Sequence, residues 1–489
     1  MKHDSVRAAA LAEESILVAG NWRAAATGET LPVHAPDTGE VIGRIARGGA
    51  DDIDVAVSAA RAAFGGEWGR MAPVERGRIL AHFAGLIQEN ADDLIASEAE
   101  DCGKPLRQAQ ADIVAVARYF EFYGGAADKL HGETIPYQPG LTVLVQRVPH
   151  GVTGHIIPWN YPAQMFGRTL APALAAGNAC VLKPAEEACQ TVLRLAGLAT
   201  AAGLPEGALN VVTGLGEEAG AALAAHPGID FLSFTGSPET GTLVQKACAE
   251  HHRACTLELG GKSPQIVFAD ADLAKALPVI LNAIVQNAGQ TCSAGSRLLV
   301  ERGLLDTLVP ALAERFAELC LAPSFLDADC GPLISEAQLA RVQSFLARAD
   351  MDGLPLIAEG RSADGLPAGG YYVAPRLYGP VPEHHPLAQH EVFGPVLAIL
   401  PFEDEADAIR IANGTAFGLA AGVWTENGGR QMRLANALRA GQVFVNGYGA
   451  GSGIELPFGG VGRSGHGREK GMEALREFTV AKTIVLNHG

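Results

Sequence analysis

Between residues 150 and 260 the chain alternates short apolar runs with helical stretches, and this alternation constrains its fold more than any other feature. HIIP (155–158), CVLK (180–183), LNVV (209–212), DFLSF (230–234) and CTLEL (255–259) read as strands. The spacing between them predicts helices over 162–176, 189–202 and 217–225, and from Pro238 to about 251. Strands alternating with helices of this length build βαβ units and a parallel sheet. Such a sheet takes its ligand beyond the carboxyl ends of its strands. Those ends fall at Asn160, Lys183, Gly214, Gly236 and Gly260, so the site is expected there.

A second alternating block, 265–446, holds QIVF, RLLVE, PVLAIL, GVWT and QVFVN as strands and reads as a second α/β domain. The first 125 residues are helix-rich, with helices expected over 51–65 and 74–101, and flank the first domain. GETIPYQPGLTVLVQRVPHG (132–151) has Pro–Gly turn signals and alternating β-branched residues, so a hairpin is expected. The tail TVAKTIVLN (479–487) is β-prone. Two strand pieces outside two full domains suggest exchange with a partner subunit, or else each edges its own sheet.

Composition excludes several classes. With 48% hydrophobic and 19% charged residues the chain is globular, not disordered. A formal charge of −17 argues against nucleic acid and anionic membrane as partners. No apolar run reaches transmembrane length, and MKHDSVRAAALAEES lacks the apolar core of a signal peptide. The eight cysteines form no CxxC and have no histidine at zinc-finger spacing. They read as reduced thiols of a cytoplasmic protein, with no disulfide frame and no metal site.

Five places can carry chemistry. Cys292, in NAGQTCSAGSR, follows a helical pattern (273–287) that breaks at Gly289, and precedes the strand RLLVE. An exposed polar loop suits a nucleophilic thiol, and a buried structural cysteine is the ordinary alternative. Glu258, in LELGGKSP, is an acid inside an apolar strand. It is either paired, or raised in pKa as suits a general base, or a solvent-facing edge residue. Asn160, in IIPWNYP, can donate to an oxyanion or simply make a turn. In FTGSPETG, Ser237 is a good N-cap and Pro238 suits the first helical position, so the helix start offers free N–H groups to a pyrophosphate. The run TGLGEEAG (213–220) reads as a structural turn, because Glu217 and Glu218 would repel phosphate. In KPAE, Lys183 and Glu186 can reach sugar hydroxyls, and a glutamate there favours NAD over NADP. A thiol, a carboxyl base, an oxyanion donor and a nucleotide sheet together describe aldehyde oxidation through a hemithioacetal and a thioester.

IPWNYP, KPAE, FTGSPETG, LELGGKSP, GQTCSAGSR, EVFGPV, GLAAGVWT and PFGGVGRSGHGRE resemble the aldehyde dehydrogenase superfamily, in that family's order and over about 150 to 470. The resemblance implies an α/β fold with two Rossmann-like parallel-sheet domains and a small β oligomerisation arm. The cofactor domain would be 1–128 and 150–260, the catalytic domain 261–462, and the arm 129–149 and 476–489. It implies a homodimer or homotetramer acting on a small-molecule aldehyde, with NAD preferred to NADP. Cys292 matches the nucleophile, Glu258 the deacylation base, and the Asn160 amide with the Cys292 N–H the oxyanion hole. Ile157, Pro158, Trp159, Lys183, Glu186, Gly214, Gly236, Ser237, Leu259, Gly260, Glu391 and Phe393 match cofactor positions. Arg168, Tyr161, Met165, Thr291 and Phe458 match the substrate tunnel.

Three departures bear on the substrate. Where many members have a lysine that pairs with the Glu of GRE, this chain has Thr169, which puts a relay through Glu469 in question. The loop NGYGAGSGIELPF (446–458) is rich in glycine, so a wide mouth is expected. Arg168 stands where succinic semialdehyde dehydrogenases bind a carboxylate, yet their second arginine is replaced by Gln286. An acidic aldehyde held by Arg168 is therefore one expectation, and pairing of Arg168 with a protein acid the other. A broad-range neutral aldehyde dehydrogenase is the nearest alternative function. A cofactor-free thiol esterase would need a histidine beside Cys292, and a CoA-acylating relative would usually lack the base at Glu258.

Overall fold

The computed structural model describes residues 14–449 and 453–489. The opening residues 1–13 and residues 450–452 of the substrate loop, both read above, lie outside the described residues. The first alternating block forms the centre of an eight-stranded sheet. In spatial order its parallel strands are Leu209–Val211, Ala179–Lys183, Val152–Ile156, Phe231–Thr235 and Ala254–Glu258. Antiparallel strands close both edges: Ile16–Val18 with Asn21–Arg23 on one side and Gly465–His466 on the other. The carboxyl ends of the parallel strands therefore face one side, as the sequence pattern requires.

The second block forms a seven-stranded sheet. Its order is Leu356–Glu359, Arg376–Tyr378, Val396–Phe402, Arg297–Glu301, Pro264–Val267, Ala420–Trp424, Gln442–Val445, and only the first pair is antiparallel. The hairpin and the tail meet in a third sheet. Thr479–Asn487 pairs antiparallel along Leu141–Pro149, which in turn pairs with Glu133–Ile135. The two strand pieces thus find each other within the chain.

Some expectations needed correction. The first strand is Val152–Ile156, displaced from 155–158, because Pro158 has no N–H to give a ladder. The helix expected over 74–101 is two, Pro73–Glu89 and Ala91–Cys102, broken at Asn90, whose side chain donates to Leu86 O at 2.7 Å. The helix expected over 217–225 opens with a π-helical turn, Gly216–Gly220, before Ala221–Ala225. The first 125 residues also hold strands that three- to six-residue runs do not announce, among them the hairpin Thr30–His34 with Val41–Ala46.

The helix Pro162–Ala176 is the hub of the first domain's core, and every residue but Gln164 is buried. Small residues let it lie close to its neighbours, and Phe166 packs against Phe83 and Phe120 with centroids 6.3 and 5.9 Å away. Just after it, buried Asn178 joins three segments. Its Oδ1 accepts from Gly151 N at 3.0 Å, and its Nδ2 donates to Ala173 O at 3.1 Å and Phe478 O at 2.9 Å. Replacing it strands buried backbone groups, each costing about 1–3 kcal/mol. Asn178→Ala is expected to destabilise the fold by about 2–4 kcal/mol, read as a lowered Tm, and an unchanged Tm would contradict this account.

Candidate active site

The loop bearing Cys292 is strained and then locked. After the helix Leu273–Val285, three consecutive residues take left-handed backbone: Asn287 (φ 49°), Ala288 (φ 54°) and Gly289 (φ 74°). For the two non-glycines this costs about 1–3 kcal/mol each. Buried hydrogen bonds offset it. Asn287 N donates to Gln108 Oε1 at 2.8 Å, Asn287 Nδ2 to Asn160 O at 2.8 Å, and Ile334 N to Gln290 Oε1 at 2.9 Å. Gly289 is required sterically, since a Cβ there would lie 2.2 Å from Gly394 O. Beyond the loop, Tyr161 and Thr291 hydroxyls meet at 2.7 Å and Tyr448 Oη donates to Ser293 O at 2.5 Å.

Asn160 is buried, and its Nδ2 donates to Gln290 O at 2.8 Å. An amide nitrogen carries two hydrogens, so this bond uses one. Behind it Lys104 is fully buried and donates to Asp112 at 2.5 Å, Asn160 O at 3.1 Å and Glu98 at 3.3 Å. Its ammonium also sits 4.5 Å from the centre of the Tyr161 ring. Sequence reasoning missed this anchor, because Lys104 lies in the loop between the helices Ala91–Cys102 and Leu106–Ala126, which carry Glu98 and Asp112, and no motif marks the three.

Glu258 ends its strand and is 2% exposed. Neither carboxyl oxygen has a hydrogen-bond partner among the described residues. Burial first, then the nearby Glu469 charge, holds its pKa well above the carboxylate range, and Arg168 opposes this in part. The Arg168 guanidinium lies against the Glu469 carboxylate, 3.6 Å from Glu258 Oε2, and 4.1 Å from the centre of the Phe458 ring. The structure thus pairs Arg168 with protein acids, the second of the two expectations. Thr169 donates to Ser233 at 3.0 Å, and Ser233 to Glu469 at 3.3 Å, so a hydroxyl chain from Thr169 reaches Glu469. Burial pushes the Cys292 thiol up to about 12, with Arg168 easing it and Glu391 and Glu258 adding to it.

Cys292 opens into a cavity of about 720 Å³. All five expected substrate residues, Arg168, Tyr161, Met165, Thr291 and Phe458, line it. So does Lys470, which sequence reasoning passed over although it directly follows Glu469 in GREK. No histidine lines it among the described residues.

The strand ends build a second surface. Lys183 Nζ donates to Glu186 Oε2 at 2.6 Å, and Gly216 N donates to Glu186 Oε1 at 3.2 Å. Ser237 caps the helix Pro238–Glu250, its Oγ accepting from Thr240 N at 3.1 Å, and Gly236 N donates to Glu258 O at 3.0 Å. Gly261 N donates to Glu391 Oε1 at 2.9 Å, and burial raises Glu391 to about 7. Glu391 fills the space beside Gly260, where a Cβ would lie 2.1 Å from Oε2. Phe393 (φ 59°) meets Trp159 edge to face at 5.4 Å. Ile157 N continues the ladder to Lys183 O at 3.1 Å, followed by half-buried Pro158. Leu259 packs under the helix at Gly241. Gly214 differs from these: a Cβ there would lie 2.4 Å from Gly48 O, so its glycine serves packing of the chain's first segment. Ribose hydroxyls can meet Lys183 and Glu186, a pyrophosphate the helix start at Ser237, and a second ribose Glu391. The described residues hold no metal-binding cluster and no helix long and apolar enough to cross a membrane.

The family model described as aldehyde dehydrogenase family matches residues 22–484. The chain is similar to the mitochondrial benzaldehyde dehydrogenase of Antirrhinum majus, 41% identical over 476 residues that span 96% of this chain and 88% of the relative. A Burkholderia cenocepacia protein solved as a candidate aldehyde dehydrogenase superposes with a TM-score of 0.96 at 61% identity, covering 97% of this chain and 100% of that one. The NAD+ complex of an aldehyde dehydrogenase from Bacillus cereus superposes with a TM-score of 0.96 at 38% identity, covering 99% and 98%.

Removing one member of a buried ion cluster leaves the others uncompensated and costs about 3–5 kcal/mol. Lys104→Met is therefore expected to lower Tm by several degrees, and Asp112→Asn by less, because the lysine keeps Glu98. Equal Tm values for Lys104→Met and the parent would contradict the anchor.

Proposed function

The chain belongs to the aldehyde dehydrogenase family, and on that premise we propose that it oxidises an aldehyde to the carboxylic acid with NAD. The observation that carries this reading is that the Cys292 thiol and the Arg168 guanidinium line one cavity, with the buried Glu258 carboxyl 3.6 Å from that guanidinium. The described cofactor surface fits a dinucleotide. Lys183 and Glu186 would hold one ribose, the Ser237 helix start the pyrophosphate, and Glu391 the other ribose. A Glu186 carboxylate kept in place by Lys183 and Gly216 N favours a free 2′-hydroxyl, hence NAD over NADP. When bound, NAD supplies the hydride acceptor.

The residues then divide the work. Cys292 gives its thiol proton to water in the cavity, and Sγ then attacks the carbonyl carbon. The oxyanion takes hydrogen bonds from the Asn160 amide and the Cys292 N–H. After oxidation the acyl group remains on Sγ as a thioester. Glu258 takes a proton from water, the hydroxide adds to the acyl carbon, and Cys292 leaves as the thiolate. Glu469 and its hydroxyl chain give that proton a buried neighbour. A histidine-assisted thiol esterase finds no support, since no described histidine lines the cavity.

An aldehyde of aromatic size suits the cavity of about 720 Å³, whose walls include Tyr161, Met165 and Phe458. Similarity to the Antirrhinum majus benzaldehyde dehydrogenase favours the same class. Engagement by Glu469 and Glu258 makes Arg168 a holder of the base, and the wide cavity supports a broad range of bulky aldehydes. The eight free thiols suit a reducing compartment such as the cytoplasm, and a mitochondrial matrix, as in the name of the Antirrhinum relative, suits them equally.

NADH absorbance with benzaldehyde and NAD is expected to rise, to rise far less with NADP, and to vanish in Cys292→Ala. Glu258→Gln is expected to keep one burst of NADH per site and lose steady turnover by about 10²–10⁴. A raised pKa keeps Glu258 protonated to higher pH, so its base form accrues as pH rises, and steady turnover should still climb with pH above the ordinary carboxylate range. No NAD-dependent acid formation from any aldehyde would sink the reading.

The sheet of Thr479–Asn487, Leu141–Pro149 and Glu133–Ile135 carries exposed Ile135, Val480, Val485 and Leu486. This supports the oligomerisation arm and a homodimer or homotetramer. Val485→Lys with Leu486→Lys should lower the mass seen by light scattering, and a monomeric parent would remove the basis for it.

A further inference from the structure

The cavity into which Cys292 opens has a polar wall, and much of that wall is already spent on protein partners. Asp112 is bound by Lys104 at 2.5 Å and by Gln164 at 2.6 Å, and Glu455 by Arg118 at 2.6 Å. Arg168 lies against Glu469, and the Tyr161 and Thr291 hydroxyls hold each other at 2.7 Å. These ion pairs are matched within the protein, so their members are not left over to receive a charged substituent of a substrate.

Tyr119 differs from them. It sits on the helix Leu106–Ala126, is 1% exposed and lines the same cavity. A buried tyrosine hydroxyl ordinarily finds a partner. Here the hydroxyl has none among the described residues, and protein atoms do not seal it either, so it opens on the cavity. Its ring is held from behind by the helix Pro162–Ala176. A Cβ on Gly167 would lie 3.1 Å from Tyr119 Cβ and 3.2 Å from Cδ2, so the glycine there gives the ring its room. Burial, with Arg168 opposing it and Glu469 adding to it, raises the Tyr119 pKa. The hydroxyl therefore stays un-ionised and keeps a proton to donate. A fixed neutral donor among matched ion pairs suits a neutral acceptor on the ligand.

We propose that Tyr119 is a specificity-determining residue whose hydroxyl donates to a neutral oxygen substituent, an ether or a hydroxyl, on the ring of an aromatic aldehyde. This deepens the aldehyde dehydrogenase reading and rests on it. An oxygen at that place pairs a donor that a hydrocarbon substituent leaves unpaired, and the penalty on the hydrocarbon analogue sets the preference.

The test compares kcat/KM for methoxybenzaldehyde and the nearly isosteric ethylbenzaldehyde, each with the substituent at the meta and at the para position, in the parent and in Tyr119→Phe. The variant keeps the ring and removes one oxygen. Dividing the methoxy-to-ethyl ratio of the parent by that of the variant cancels the electronic effect of the substituent. That quotient is expected to reach about tenfold at one of the two positions, carried by KM and not kcat, with the ethyl analogue turned over as in the parent. An unchanged ratio at both positions, or an equal loss on both aldehydes, would overturn the proposal. Calorimetric binding of methoxybenzoate against ethylbenzoate separates it from the reading on which it rests. A preference for methoxybenzoate that disappears in Tyr119→Phe, without NADH formation from any aldehyde, defeats the dehydrogenase reading alone. Equal binding of the two acids by the parent, or binding of neither, defeats this proposal even where the variant does not fold.

Discussion

The buried ion pair of Arg168 with Glu469, beside the Glu258 carboxyl, is the interaction on which the site depends. All three side chains are buried, and buried charges are stable only when matched. Each member comes from a different part of the chain. Arg168 belongs to the buried helix Pro162–Ala176, Glu258 ends a strand of the first sheet, and Glu469 follows the edge strand Gly465–His466. The edge strand reaches the sheet only because Gly465 lacks a side chain, since a Cβ there would lie 1.9 Å from Leu257 O. Pairing of Glu258 with Gly465 then sets Glu469 beside the guanidinium. Sheet closure and charge matching are thus one event.

Most of the architecture was legible because βαβ alternation is a strong pattern. Parallel strands are apolar on both faces, and CVLK and DFLSF show it. What escaped was short or broken. Ile16–Val18 and Asn21–Arg23 are too brief for periodicity, and their pairing is decided by the distant strand Leu209–Val211. Asn90 interrupts an amphipathic pattern that continues on both sides, so composition could not reveal two helices. The tail and the hairpin looked unpartnered because antiparallel partners so far apart in sequence leave no local sign.

The site was legible where a motif carries its own geometry. Cys292, Glu258 and Asn160 each sit at a strand or loop end that the alternation already marks. Arg168 was visible as a charge on a buried helix, but its partner was not, because Glu469 lies far along the chain. Lys104, Glu98 and Asp112 lie close in sequence, but across the break between two helices, and no motif marks their meeting. A sequence announces that a charge is in an apolar setting and is silent about which opposite charge will meet it.

Strain and proton retention at the site have a common logic. Asn287, Ala288, Phe393 and Lys470 all have positive φ; the first two lie in the loop before Cys292, Phe393 meets Trp159, and Lys470 lines the cavity. Their cost is carried by buried hydrogen bonds and ring contacts, which hold each group at a set position before any ligand arrives. The same burial keeps the proton on Cys292, at about 12, and on Glu258. A resting site of this kind is chemically quiet: its thiol is a poor nucleophile and its carboxyl a poor base. Positive charge brought near Sγ lowers the cost of the thiolate, and exclusion of water strengthens that effect.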